Sequence, residues 1–229
     1  QERPYMDSII SKYQVNIKDA VKMAAIRVEH KTDLDGAYKI LNGNSGDEIQ
    51  NLKKKKKSEQ ILTMIQDAIN LDRVTVYRQK IVHVSDKTKG MYENLIRIKQ
   101  EDGKVLSPAL FLDESKELGI YPELIKIVID KVFNYYSENN EEFSLNLSLS
   151  DFTDSNIGTY LLQKIENSNS SNRFIIEIAN RNDTDYDIEA LREQISKVRD
   201  YNVRVAFDDI GMHNIRMDQL LSLDIDILK

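Results

Sequence analysis

The 229-residue sequence contains no cysteine, which excludes disulfides and thiolate metal sites and points to a reducing compartment. Histidine is scarce. His30, His83 and His213 are the full set, none at helical pair spacing, so an imidazole-based zinc site is not expected. No apolar run approaches membrane-spanning length, and the opening Gln1-Glu2-Arg3-Pro4 lacks the pattern of a secretory signal. Positive charge is in deficit: 32 Lys and Arg against 38 Asp and Glu give a net charge of −6. That balance argues against a nucleic-acid polymer as the main partner. The expectation is a cytoplasmic protein, or the cytoplasmic part of a larger one, with no membrane contact from this region. The 41% hydrophobic and 31% charged residues suit a globular chain of one or two domains.

Residues 1–50 read as an α-rich N-terminal segment that carries no chemical constellation. Ile9 to Met23 has the spacing of one helix or two, Met23 to Val28 reads as a short strand, and Leu34 to Leu41 is helical. Asn42-Gly43-Asn44-Ser45-Gly46 is a breaker. A linker helix is expected over 51–72. It opens on the run Lys53 to Lys57, which reads as a solvated cationic face rather than a phosphate or membrane site. It continues with a stripe of Ile61, Ile65, Ala68 and Ile69.

From Val74 onward strand and helix patterns alternate. Strands are expected at 74–82, 91–98, 143–148, 173–179, 203–208 and 225–229, and helices at 108–117, 122–137, 155–166, 187–200 and 213–223. The apolar stripe at 124–135 is helix packing. Repeated βα units of this size indicate a parallel sheet, doubly wound or closed into a barrel, with ligands gathering at the strand C-termini. Six strands fall short of eight, so a barrel of this kind is expected to be incomplete at the C-terminus.

The chemistry concentrates on oxygen donors. Val205-Ala206-Phe207 runs straight into Asp208-Asp209-Ile210-Gly211. Adjacent carboxylates where a buried strand meets a loop repel each other and lose hydration. A cation between them, usually a metal, makes that tolerable. Glu93, Asn146 and Glu177 each stand within another strand-like run. Together they suggest a hard-cation site at one end of a parallel barrel. Each has an ordinary alternative: an exposed strand end for Glu93, a helix cap for Asn146, a surface lysine for Lys229, a metal-free turn for the Asp pair. Taken singly, Asn146 and Lys229 read as ordinary and the Asp pair as functional. Their order on successive strands favours function collectively.

Several of these segments together resemble the EAL family, bacterial domains that bind and hydrolyse cyclic di-GMP. Tyr77-Arg78-Gln79-Lys80-Ile81-Val82 is similar to the family's first strand, and Glu93-Asn94-Leu95-Ile96-Arg97 to its Glu-Ala-Leu motif. Asp102-Gly103, Ser107-Pro108-Ala109-Leu110-Phe111 and Glu117-Leu118-Gly119 follow in family order. So do Asn146-Leu147-Ser148, Ile176-Glu177-Ile178 and the stretch from Asp208 to Leu228-Lys229. The resemblance covers about 74–229 and implies an α/β, TIM-like (β/α) barrel of EAL type over 73–229. Residues 23–39 resemble, more faintly, the last strand and helix of a GGDEF-type domain, which often precedes an EAL domain.

By resemblance, Glu93, Asn146, Glu177 and Asp208 hold one Mg²⁺ or Mn²⁺, and Asp208 with Asp209 helps hold a second. Glu93, Asp208 and Lys229 are then the catalytic set, with Lys229 near the attacking water. Gln79, Leu95, Arg97 and Asp209 contact the nucleotide, Arg97 being suited to a phosphate oxygen. The implied activity is metal-dependent hydrolysis of cyclic di-GMP to the linear dinucleotide by a homodimer. Departures support an alternative, a catalytically inactive cyclic di-GMP receptor. Asn180 replaces a usual glutamate, and Met212-His213-Asn214-Ile215-Arg216 replaces the family's Thr-Gly-Tyr-Ser-Ser. His213 reads as an ordinary loop histidine.

Overall fold

The computed structural model describes residues 9–12, 16–30, 33–41, 45–179, 187–208 and 217–229. Contacts divide the chain into Gln1–Thr63 and Met64–Lys229. In the first unit, residues 9–12 are helical, followed by α1 (Ile17–His30) and α2 (Leu34–Leu41). The strand expected at Met23–Val28 is therefore the second half of a helix. Ala20 and Met23 are buried and Ile26 packs beside them, a spacing of three that suits a helical stripe, whereas Val28 is 80% exposed. These residues, with Ile9 and Ala37, form a small core on which Leu34, Tyr38 and Leu41 pack.

The helix α3 (Ser45–Asn70) begins inside the expected breaker, with Ser45 and Gly46 in its first turn. Neither residue is costly there, because the first amides of a helix have no intrahelical partner in any case. Its last turns bury Ile65 and Ala68, at 0% and 1% exposure.

The second unit is built on a seven-stranded sheet: β1 (Val74–Val82), β2 (Gly90–Lys99), β3 (Val105–Leu106), β4 (Glu142–Ser148), β5 (Phe174–Ala179), β6 (Arg204–Asp208) and β7 (Ile227–Leu228). The order is β1-β2-β4-β5-β6-β7, with β3 beside β2. From β2 through β7 the main path is parallel, but β1 pairs with β2 antiparallel, which corrects the expectation of uniform βα units. The reason is length: residues 83–89 are too few for a crossover helix, so the chain can only turn back as a hairpin. At the hairpin a side chain at Gly90 would put its Cβ 2.2 Å from the Ile81 carbonyl oxygen, so only glycine fits that close pairing. Among the described residues the sheet is not closed by hydrogen bonds between β1 and β7.

The connections carry α4 (Leu112–Glu117), α5 (Tyr121–Ser137), α6 (Leu149–Thr153), α7 (Ile157–Glu166), α8 (Ile188–Arg199) and α9 (Met217–Leu221). The single helix expected at 108–117 is a 3₁₀ turn at Pro108–Leu110 followed by α4. The helix expected at 155–166 starts at Ile157 and is preceded by α6, which the periodicity does not reveal in so short a segment.

One face of the sheet is covered by helices. Phe143 and Phe174 point to that face and meet Phe133 and Tyr136 of α5; Tyr136 stacks on Phe143 at 4.0 Å between centroids, and Phe143 on Phe174 at 5.0 Å. Leu145, Leu147, Ile176, Ile178, Val205 and Phe207 alternate on the same side and are buried. Burying these side chains fixes the register, because a slip by one residue would turn every one of them to the other face.

Candidate functional site

The register that buries the aromatic residues sends a different set to the opposite face. Along β2 this set is Glu93, Leu95 and Arg97; on β4 it includes Ser144 and Asn146; on β5, Glu177. Gln79 and Tyr77 of β1 join it, since Gln79 pairs with Glu93 and Tyr77 with Leu95. Glu177 is paired with Asn146 on one side and Ala206 on the other, and Ala206 with Ile227. Two positions further along, Asp208 ends β6 and Lys229 follows β7, so both return to this face. Donors spread over more than a hundred positions thus share one side of one sheet because parallel pairing aligns them.

Contacts bring several together. Asn146 donates from Nδ2 to Glu93 Oε1 at 2.6 Å. Lys229 donates from Nζ to Glu177 Oε2, forming an ion pair with a carboxylate that is only 1% exposed. Asn146 sits within β4 and caps no helix. That role falls to Ser148, whose Oγ accepts from the Asp151 amide at 3.2 Å while Asp151 Oδ2 accepts from the Ser148 amide at 3.1 Å. Tyr121 donates its hydroxyl hydrogen to the same Asp151 Oδ2 at 2.6 Å. The capping box ends β4 firmly two residues beyond Asn146.

The remaining expected residues lie around this centre. Asp208 is half-buried at the end of β6, in register with Ala179. Gln79 is exposed, across from Glu93. Leu95 is half-buried. Arg97 donates from Nη1 to the Ile96 carbonyl at 2.8 Å, and its guanidinium carbon lies 5.6 Å from the centre of the Tyr77 ring. Asp209, Asn180 and the segment 212–216 with His213 lie outside the described residues.

Asn94 stands where the family's Glu-Ala-Leu motif has alanine. The structure gives it more to do. It is 2% exposed, on the helix-covered face, and its Nδ2 donates to the Ser144 carbonyl at 2.9 Å and to the Tyr92 carbonyl at 3.3 Å. It therefore ties β2 to β4 directly behind Glu93. The available signal was a polar residue in the apolar half of the alternation, between Tyr92 and Ile96.

Among the described residues no three His, Asp or Glu side chains stand together closely enough to hold a metal ion. Glu93 and Glu177 are instead met separately, one by an amide and one by an ammonium. The donor chemistry nevertheless fits a hard cation. Glu177 Oε1 is buried with no hydrogen-bond partner among the described residues. An orphaned, desolvated carboxylate oxygen is costly and favours a positive charge beside it. The available donors are carboxylates and an amide, which suit a magnesium-like or calcium-like ion.

Residues 62–229 match the family model described as the EAL domain. Among curated proteins, the chain is 29% identical over 171 residues to the probable cyclic di-GMP phosphodiesterase PdeB of Escherichia coli K12, covering 72% of this chain and 33% of the relative. It is 23% identical to the cyclic di-GMP phosphodiesterase PdeA of Borreliella burgdorferi, covering 97% of this chain and 35% of the relative. The chain thus spans about a third of the length of these relatives. Among solved structures, an EAL domain protein of Listeria monocytogenes superposes with a TM-score of 0.62 at 24% identity, over 72% of this chain and 66% of that one. The FimX EAL domain of Pseudomonas aeruginosa, bound to cyclic di-GMP, gives 0.62 at 17% identity, over 73% and 69%. The Bacillus subtilis YkuI protein, in complex with cyclic di-GMP and calcium, gives 0.56 at 24% identity, over 72% and 43%. These structures establish a shared fold.

Proposed function

The chain belongs to the EAL domain family, with the α/β, TIM-like fold of its structural relatives, and from that premise we propose that it hydrolyses cyclic di-GMP to the linear dinucleotide. The observation that carries this reading is the pairing of Glu93 with Asn146 and of Lys229 with Glu177 on one face, beside a buried oxygen of Glu177 that has no partner among the described residues. The relatives' names, cyclic di-GMP phosphodiesterase, supply the substrate.

In this proposal Glu93, Asn146, Glu177, Asp208 and Asp209 hold Mg²⁺ or Mn²⁺. Divalent ions held there would supply an acidified water and neutralisation of charge on the phosphoryl oxygens. The protein's own groups do the rest. Asn146 carries both a donor and an acceptor, so it can orient Glu93 through Nδ2 and offer Oδ1 as a ligand. Lys229 orients the attacking water and stabilises the negative charge that develops as the water oxygen bonds to phosphorus and the P–O bond of the ring breaks. Arg97 binds a phosphate oxygen; leaving the Ile96 carbonyl for an anion strengthens its hydrogen bond. Gln79 and Leu95 contact the nucleotide. The proposal extends to a homodimer in the bacterial cytoplasm, with 1–50 as a preceding segment, 51–72 as a linker helix and 73–229 as the EAL domain.

Incubation of the chain with cyclic di-GMP and Mg²⁺ or Mn²⁺, followed by chromatography of the products, tests the activity. The linear dinucleotide is expected, and Asp208→Asn lowers its rate by at least ~100-fold. The exchanges at Asn180 and 212–216 support a second reading, a non-catalytic receptor. Binding of cyclic di-GMP that survives chelation, with no linear product, selects that reading and rejects the first.

A further inference from the structure

Lys229 reaches Glu177 from the end of β7. β7 is Ile227–Leu228, in register with Ala206 and Phe207, and the Lys229 amide adds one bond to the Phe207 carbonyl at 2.9 Å. Just before it stands a clasp that none of the roles above uses. Asp226 Oδ2 accepts from the Val205 amide at 2.8 Å, and the Asp226 amide donates to the Val205 carbonyl at 2.9 Å. The carboxylate thereby takes an amide of β6 that lies before the first ladder pair with β7. Arg199, the last residue of α8, locks the arrangement. Its Nη1 lies 2.8 Å from Asp226 Oδ2 and 3.2 Å from the Asp224 carbonyl, and its Nε lies 2.7 Å from Asp224 Oδ2. The guanidinium fork is suited to such simultaneous contacts, and charge-assisted bonds are about twice as strong as neutral ones.

We infer that Asp226 and Arg199 are positioning residues that fix the register of β7 and so deliver the Lys229 ammonium to Glu177. The physical reason is the twofold period of a strand. A slip of one residue would carry Lys229 to the helix-covered face and set Leu228 toward the carboxylates. The clasp resists it, because Asp226 pairs both backbone groups of Val205 and is anchored to a helix through Arg199. The catalytic consequence rests on the proposed hydrolysis; the placement of Lys229 does not.

The test uses the full chain as wild type, Asp226→Asn and Arg199→Gln, with Arg199→Lys replacing any variant that fails to fold by circular dichroism. Lys229 is acetylated with acetic anhydride and its rate read by peptide mass spectrometry, with Lys164, ion-paired to Asp130 on other helices, as internal reference. The expected result is a Lys229 rate, relative to Lys164, raised roughly threefold or more in each variant. Variants that label Lys229 at the wild-type ratio overturn the inference. In parallel, kcat for cyclic di-GMP falls while KM and the dissociation constant for the nucleotide stay near wild type, a split that general destabilisation would not give. If the wild type hydrolyses nothing, the functional proposal fails and the labelling ratio alone decides the inference.

Discussion

Glu177 is the most deeply buried of the described carboxylates on this face. One oxygen is met by Lys229, the other is buried and unpartnered among the described residues, and the residue is 1% exposed. Burial of such a carboxylate adds little to stability, since desolvation can exceed the gain from its ion pair. Glu177→Gln relieves that cost and leaves the partly exposed ammonium of Lys229 to water. The expected result is a melting temperature in chelator equal to or above wild type, with the response to added Mn²⁺ abolished. A melt in chelator well below wild type would show that the carboxylate is a structural group instead.

The strands and helices divide the work between their two faces. The helix-covered face of β4 and β5 is aromatic and aliphatic, and Phe143 is central to it, fully buried and in contact with Phe133, Tyr136 and Phe174. Phe143→Ala removes a ring that three neighbours pack upon. It is expected to cost ~3–5 kcal/mol in urea unfolding, a typical figure for deletion of a buried phenylalanine. The same substitution loosens β4 beneath Asn146, so loss of activity should accompany loss of stability. The strand assignments are legible at this scale, because strict polar–apolar alternation marks β4 and a run of isoleucines marks β5. The N-terminal Met-Ala-Ala-Ile-Arg-Val segment is not. Over six residues a helical stripe and a strand share the same apolar residues, and the packing of Ala20 and Met23 on Ala37 decides between them.

At the scale of the molecule, the arrangement predicts that an ion binds the folded chain and not the unfolded one. The donors proposed for it stand on β2, β4, β5 and β6, which only folding assembles. Stability should then rise by mass action, about 2.7 kcal/mol at an ion concentration one hundred times the dissociation constant. Thermal melts over a Mn²⁺ or Mg²⁺ titration measure this directly. A melting temperature independent of ion, with and without cyclic di-GMP, would remove the metal from the proposal. Among the described residues no helix is long and apolar enough to cross a membrane.

The sequence by itself determined which residue types were available: oxygen donors in strand-like runs, no thiols, few imidazoles, and motifs in family order. Composition and local periodicity carry that information, because they depend on residues close together along the chain. Tertiary structure decided the rest. It turned β1 antiparallel because the connection is short, buried Asn94 behind Glu93, and set Asn146 beside Glu93 and Lys229 beside Glu177 across more than fifty intervening residues. Those pairings follow from strand register and from clasps such as Arg199 with Asp226, which arise between segments that no local pattern relates.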